Sequence, residues 1–157
     1  MSDTLDWMEH HEIVRTINRY FRLLDERRFE PSLFAQLFTE RAEVRRPNGT
    51  VLIGPEGIAS SHAKSMARFR VTQHLLTGHD IDIQGDAATV RINLVAVHLW
   101  EEDGNPASML GNHFAAGGVV HATLEKRTDG WRIRSIAMQV VWRDGKDLQR
   151  MLQTDRG

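Results

Sequence analysis

The sequence predicts an α+β domain in which N-terminal helices cover a curved antiparallel sheet. Two observations carry this. Apolar residues recur with a helical period as far as Arg70, and from there alternate in the manner of strands almost to the end. That order, helices first and long strands afterwards, points to helices segregated onto an antiparallel sheet, since a parallel α/β sheet needs the two element types to alternate. At 157 residues the chain reads as one domain, 1–157, with length enough for a single core. A strongly bent sheet wrapped on its helices makes a cone, and the open end of a cone is the natural pocket.

The first helix runs from Glu9 to Leu24, where Ile13, Ile17, Phe21 and Leu24 fall on one stripe with Tyr20 beside them. Pro31 suits a first helical turn, where its missing N–H has no partner to lose, and opens a short second helix through Leu33, Phe34, Leu37 and Phe38. Ala42 to Arg46 is a strand that Pro47-Asn48-Gly49 returns through Thr50 to Ile53 as a hairpin. Gly54-Pro55 starts a third helix, with Ile58, His62, Met66 and Phe69 facing inward.

Val71 to Leu76 and His79 to Ile83 read as strands, and the turn Gln84-Gly85-Asp86 leads into a long one. On it Ala88, Val90, Ile92, Leu94, Ala96, His98 and Trp100 share a face. Its other face turns apolar at Val95, Val97 and Leu99, which predicts a sheet-to-sheet homodimer contact. Residues 101–112 are polar with glycine and proline, a loop long enough to act as a lid. His113 to Lys126 and Trp131 to Trp142, joined by Thr128-Asp129-Gly130, make the last hairpin.

Composition narrows the function classes. The formal charge is −1 with both signs interspersed, so there is no basic stripe of the kind that neutralises phosphates, and nucleic acid is not an expected partner. The absence of cysteine removes disulfides, thiolate metal sites and thiol nucleophiles together. No apolar run approaches the ~20 residues that span a membrane. The acidic start MSDTLDWMEHHE lacks the basic and apolar regions of a secretory signal, so a cytoplasmic location is expected. There is no His-x-His, no His-Glu-x-x-His, no Gly-x-Ser-x-Gly and no phosphate-binding glycine pattern, so neither metal nor cofactor is expected.

What remains is acid–base chemistry by histidine and carboxylate, for which imidazole has the pKa nearest neutrality. Tyr20 and Asp25 lie at opposite margins of the first helix's apolar stripe. Asp25, near the helix C-terminus, reads by its residues alone first as a surface carboxylate paired with Arg22 or Arg28. His74 alternates with Thr72 and Leu76, and alternation alone does not say which face of that strand is buried. His98 shares an otherwise apolar face, so its nitrogens must be paired or wetted inside, in a structural or a functional role. His121 and His113 share a parity on a later strand, and His62 interrupts the apolar face of the third helix.

The element order and the string Arg19-Tyr20-Phe21-Arg22-Leu23-Leu24-Asp25 resemble the SnoaL-like, scytalone dehydratase-like branch of the nuclear transport factor 2-like superfamily, over about Glu9 to Asp147. The spacing of Tyr20 and Asp25 looks most like that of bile-acid 7α-dehydratase. Scytalone dehydratase places its helix aspartate one turn earlier, where this chain has Arg22. Thr72-Gln73-His74 resembles that enzyme's Thr-Gln-His, His98 falls where its second catalytic histidine would come, and His121 falls near a pocket asparagine across a one-residue gap.

The resemblance implies a cone-shaped sheet and a dehydratase, cyclase or isomerase acting on a small hydroxylated cyclic or polyketide-like ketone. His74 would be the base, Asp25 its orienting group, Tyr20 a hydrogen-bond donor to the carbonyl or departing hydroxyl, and His98 a proton source for the leaving group. Phe21, Met66, Trp142, His62 and His121 would line the pocket and hold the ring. The competing expectation is a non-catalytic ligand-binding or assembly module. The discriminator is whether Asp25 meets His74 inside the cone.

Overall fold

The computed structural model describes residues 2–101 and 112–146. The expected lid falls, except for its end residues, outside the described residues. The elements are α1 (Ser2–Asp25), α2 (Pro31–Ala35), β1 (Phe38–Arg45), β2 (Val51–Ile53), α3 (Gly54–Met66), β3 (Phe69–Gln84), β4 (Ala87–Trp100), β5 (His113–Arg127) and β6 (Gly130–Gly145). Helix α1 thus begins nearly two turns earlier than its apolar stripe. Phe38 and Phe69, helical by their apolar spacing, instead open β1 and β3, and both stay buried.

Helix α1 ends in a motif normally built on glycine. Arg27 takes a left-handed φ of 59°. Its N–H donates to the Leu24 carbonyl, and the Arg28 N–H to the Leu23 carbonyl at 3.0 Å, which satisfies the last carbonyls of the helix. A non-glycine residue in this region costs roughly 1 kcal/mol. The Arg27 side chain offsets that strain by donating to the carbonyls of Met66 and Phe69, so the end of α1 is tied to the junction of α3 and β3.

The six strands form one curved, unclosed sheet in the order β2-β1-β6-β5-β4-β3. All pairs are antiparallel except β1 with β6, which run parallel with Val44 opposite Ile136. The expected antiparallel sheet thus contains one parallel junction. β1 and β6 lie at opposite ends of the chain, so no tight turn between them forces an antiparallel return. The two strands expected between Val71 and Ile83 are one, with a register shift between Thr77 and Asp80 where Gly78 has φ 65°.

The alternation on β4 holds without exception: Ala88, Val90, Ile92, Leu94, Ala96, His98 and Trp100 are all buried. The first four meet Ile13, Ile17 and Tyr20 of α1, Phe34 of α2 and Ile58 of α3 in one core. On the sheet's other face Leu75, Val95, Gly117 and Trp142 lie side by side across β3, β4, β5 and β6. Leu75 is 50% exposed, Val95 37% and Trp142 45%, an apolar row open to water. Among the described residues no helix is long and apolar enough to cross a membrane.

Candidate active site

Between α1, α3 and the concave face of the sheet lies a cavity of about 190 Å³. Its walls are mostly apolar, including Phe21, Leu24, Met66, Leu94, Ala96, Val120 and Met138. Tyr20, His62, His74 and His98 also line it. Phe21, Met66 and His62, expected at the pocket wall, are among the residues that line this cavity.

His74 is held from behind. Asp25 Oδ1 accepts hydrogen bonds from His74 Nδ1 at 2.7 Å and Thr72 Oγ1 at 2.9 Å, while Oδ2 accepts the His74 backbone N–H at 2.9 Å. One carboxylate thus fixes both the strand and the ring it carries. An ionised carboxylate can only accept, so Nδ1 carries the proton, and Nε2 is the basic atom of the neutral ring. Burial on its own would raise the Asp25 carboxyl. The hydrogen bonds from His74 and Thr72 and the charge of a protonated His74 outweigh it and hold the group below the usual carboxylate range. The arginines that might have claimed Asp25 pair elsewhere, Arg22 with Glu26 at 2.7 Å and Arg28 with Glu30 at 3.6 Å.

A second pair stands deeper in the site. The Tyr20 hydroxyl lies 2.7 Å from His62 Nε2, both residues are buried, and His62 Nδ1 has no partner among the described residues. Burial, assisted by the charges of Arg46 and of a protonated His74, pushes His62 down to about 3, so its ring is neutral at any physiological pH. Burial pushes the Tyr20 hydroxyl up, with a small opposing effect from Arg46. A neutral phenol facing a neutral imidazole leaves two proton arrangements. In one, Nε2–H donates to the Tyr20 oxygen and the phenolic proton is left for a ligand. In the other, the phenol donates to Nε2 and the buried Nδ1–H is left without an acceptor.

His98 meets His74 edge to face with ring centroids 5.8 Å apart. Its Nδ1 donates to the Phe114 carbonyl at 3.2 Å, and burial with the His74 charge pushes it down to about 4. At neutral pH it therefore presents a lone pair at Nε2, which fits a hydrogen-bond acceptor better than the proton source expected of it.

The sequence matches the SnoaL-like domain family over residues 8–137. The chain belongs to that family. Solved structures with the same fold include a scytalone-dehydratase candidate from Novosphingobium aromaticivorans, at 22% identity and TM-score 0.75 over 92% of this chain and 91% of that one. A nuclear transport factor 2-like superfamily protein from Salmonella enterica superposes with TM-score 0.72 at 21% identity, over 91% of this chain and 98% of that one. A hexachlorocyclohexane dehydrochlorinase, LinA type 2, does so with TM-score 0.70 at 14% identity, over 90% and 89% of the two chains. At these identities the likeness is one of fold. Among curated proteins no sequence matches this chain.

Two expected pocket residues of this SnoaL-like chain lie elsewhere. His121 is exposed on the outer face of β5, opposite Arg91 and Ala137, because the buried parity there is Phe114, Ala116, Val120, Ala122 and Leu124. Trp142 has the parity of Ile136, Met138 and Val140, but the pairing of β5 with β6 skips Val141, and this bulge turns Trp142 outward. There its ring covers Gly117 so closely that a Cβ at 117 would collide with it. Conversely, four lining residues carried no signal in the periodicity: Arg46 and Asn48 at the β1–β2 turn, Arg68 after α3, and Arg143 past the bulge. Only the fold brings these to one rim. Among the described residues no three histidine or carboxylate side chains gather as a metal would require.

Proposed function

We propose that this SnoaL-like chain is an acid–base enzyme working without a cofactor. It would eliminate water from a small hydroxylated cyclic or polyketide-like ketone, or cyclise or isomerise one through the same enolate. The observation that carries this reading is the Asp25–His74 hydrogen bond behind a ring that lines an apolar cavity, a contact that a mere binding module does not need. His74 Nε2 would remove the proton beside the carbonyl, with Asp25 stabilising the imidazolium. The electron pair released forms the new C=C bond as the C–O bond to the β-hydroxyl breaks. The proton on Nε2 passes to the departing oxygen, so water leaves and the ring returns to neutral. Tyr20, with His62 behind it, would donate its phenolic hydrogen bond to the carbonyl oxygen as charge develops there. Two of the structural neighbours carry names of elimination enzymes, which agrees with this chemistry.

A panel of β-hydroxy ketones, followed by loss of water, tests it. Asp25→Asn and His74→Ala should each cost ~10²–10⁴ in rate, and the double variant little more than the worse single, because base and orienting group act as one unit. Additive losses, or no turnover by the wild-type chain across the panel, would move the assignment to ligand binding.

The chain is further proposed to act as a homodimer joined through the row Leu75, Val95 and Trp142, which a monomer leaves in water. Light scattering at micromolar concentration should give twice the chain mass, and Val95→Asp should give the monomer.

A further inference from the structure

His98 is the one ionisable side chain on the buried face of β4, and the proposed proton transfers leave it without a task. The rings of Phe69, Phe114 and His74 stand against it at centroid distances of 4.7, 5.4 and 5.8 Å. A carbonyl can only accept, so the 3.2 Å contact with the Phe114 carbonyl puts the proton of the neutral ring on Nδ1 and leaves a lone pair on Nε2. Burial, with the charge of a protonated His74, keeps the ring neutral. His98 therefore remains an acceptor even while His74 holds the substrate's proton. Its side chain lines the cavity, and among the described residues the structure gives Nε2 no partner. A buried acceptor with nothing to accept costs free energy that Leu94 and Ala96, its neighbours on the same face, do not incur.

The opposite polarity stands at Tyr20. When His62 Nε2–H donates to the phenolic oxygen, the buried Nδ1 of His62 is spared a proton with no acceptor, and the hydroxyl of Tyr20 is left to donate into the cavity. The site thus offers a donor at Tyr20 and acceptors at Nε2 of His74 and of His98. We infer that the substrate carries, besides the carbonyl that meets Tyr20, a hydroxyl that stays on the ring through the reaction and donates to His98 Nε2. The departing hydroxyl is a poor match for this atom. As its C–O bond breaks the oxygen gains negative charge and needs donors, and an acceptor drawing on its proton would add to that charge. The inference rests on the proposed elimination chemistry and narrows its substrate to a cyclic ketone with a second, retained hydroxyl. His98 becomes the residue that selects and orients the ring, since an analogue lacking the donor leaves Nε2 unpaired.

Matched probes test this. Acetophenone, its meta- and para-hydroxy derivatives and their methyl ethers carry a ring and a carbonyl but no hydroxyl that can be eliminated, so they report binding apart from turnover. They are titrated into the full chain up to about 10 mM, the range in which small fragments bind, at about pH 7, where phenols keep their proton. Backbone amide shifts and the imidazole nitrogen signals are followed. At least one hydroxy derivative should bind roughly tenfold tighter than both acetophenone and its own methyl ether, and should move the Nε2 signal of His98, which the other probes leave in place. The preference should vanish in His98→Phe, which keeps a ring between Phe69 and Phe114 and loses the acceptor. Should that variant fail to fold, the nitrogen signal of the unaltered protein decides by itself. Equal affinities, a preference that survives in His98→Phe, an Nε2 signal that no hydroxy probe moves, or no response at the cavity overturns the inference. It fails separately from the proposed chemistry: a hydroxyl preference that stands while Asp25 and His74 variants keep full turnover removes the dyad mechanism alone. Loss of turnover in those variants without a hydroxyl preference removes the role of His98 alone.

Discussion

His74 and His62 line one cavity, and each is hydrogen-bonded at 2.7 Å through a ring nitrogen, but the partner is a carboxylate for one and a phenol for the other. The carboxylate orients the ring and, in the proposed mechanism, would also face the positive charge that the ring acquires on taking the substrate's proton. The phenol does only the first. With burial acting on it and a phenol in place of an anion, His62 stays neutral down to about pH 3. In the proposed mechanism the same side chain thus serves as the base beside an acidic neighbour and as a fixed hydrogen-bonding group beside a neutral one.

The largest expected effect sets the two histidines against each other directly. His74→Ala should lose ~10²–10⁴ in rate, whereas His62→Gln, which can still hydrogen-bond Tyr20, should lose less than about tenfold. Equal losses measured on a single substrate would break the distinction between base and support.

A middle-sized effect appears in stability against pH. Folded His62 protonates near 3 and folded His98 near 4, against 6.5 for an unperturbed histidine. Between those values the unfolded chain holds more protons, so the stability these groups contribute is complete above about pH 6.5 and is lost as pH falls toward the folded values. Asp25, held low, adds to the loss below its ordinary 3.8. Each tenfold difference in proton affinity between the folded and unfolded chain is worth about 1.4 kcal/mol, so a fall of a few kcal/mol is expected between pH 7 and pH 4. Thermal melts at the two pH values should show it, and His62→Gln should narrow the gap. A gap unchanged by that substitution would locate the acid sensitivity elsewhere.

The smallest effect concerns Tyr20. Removing its hydroxyl in Tyr20→Phe leaves His62 Nε2 without its partner in addition to Nδ1, at a cost of ~1–3 kcal/mol in a chemical denaturation curve. A loss near zero would mean that water replaces the phenol and that the pair is not held by burial.

Much of the fold was legible because it rests on local periods. The alternation on β4 and the turn at Gly85 are properties of short windows, and both hold. His74 and Asp25 were legible only through their resemblance to a family pattern, since alternation on β3 left the buried face open. What escaped depends on how distant segments meet. The parallel seam of β1 and β6 joins strands from opposite ends of the chain, Val44 beside Ile136. Tyr20 meets His62 only because α1 packs beside α3. His121 shares a residue type with the pocket histidines but not their face, and Trp142 has the inward parity that one skipped residue reverses.

Arg27 carries a lesson for anyone who would improve this protein by rule. Backbone statistics recommend glycine at a left-handed helix end, and Arg27→Gly would indeed relieve the local conformation. It would also cut the two ties from the end of α1 to Met66 and Phe69. Asp25 lies two residues before that anchor and His74 five residues beyond Phe69, so the moored ends are those that carry the pair. A consensus substitution here would exchange the alignment of a carboxylate with an imidazole for a more comfortable turn.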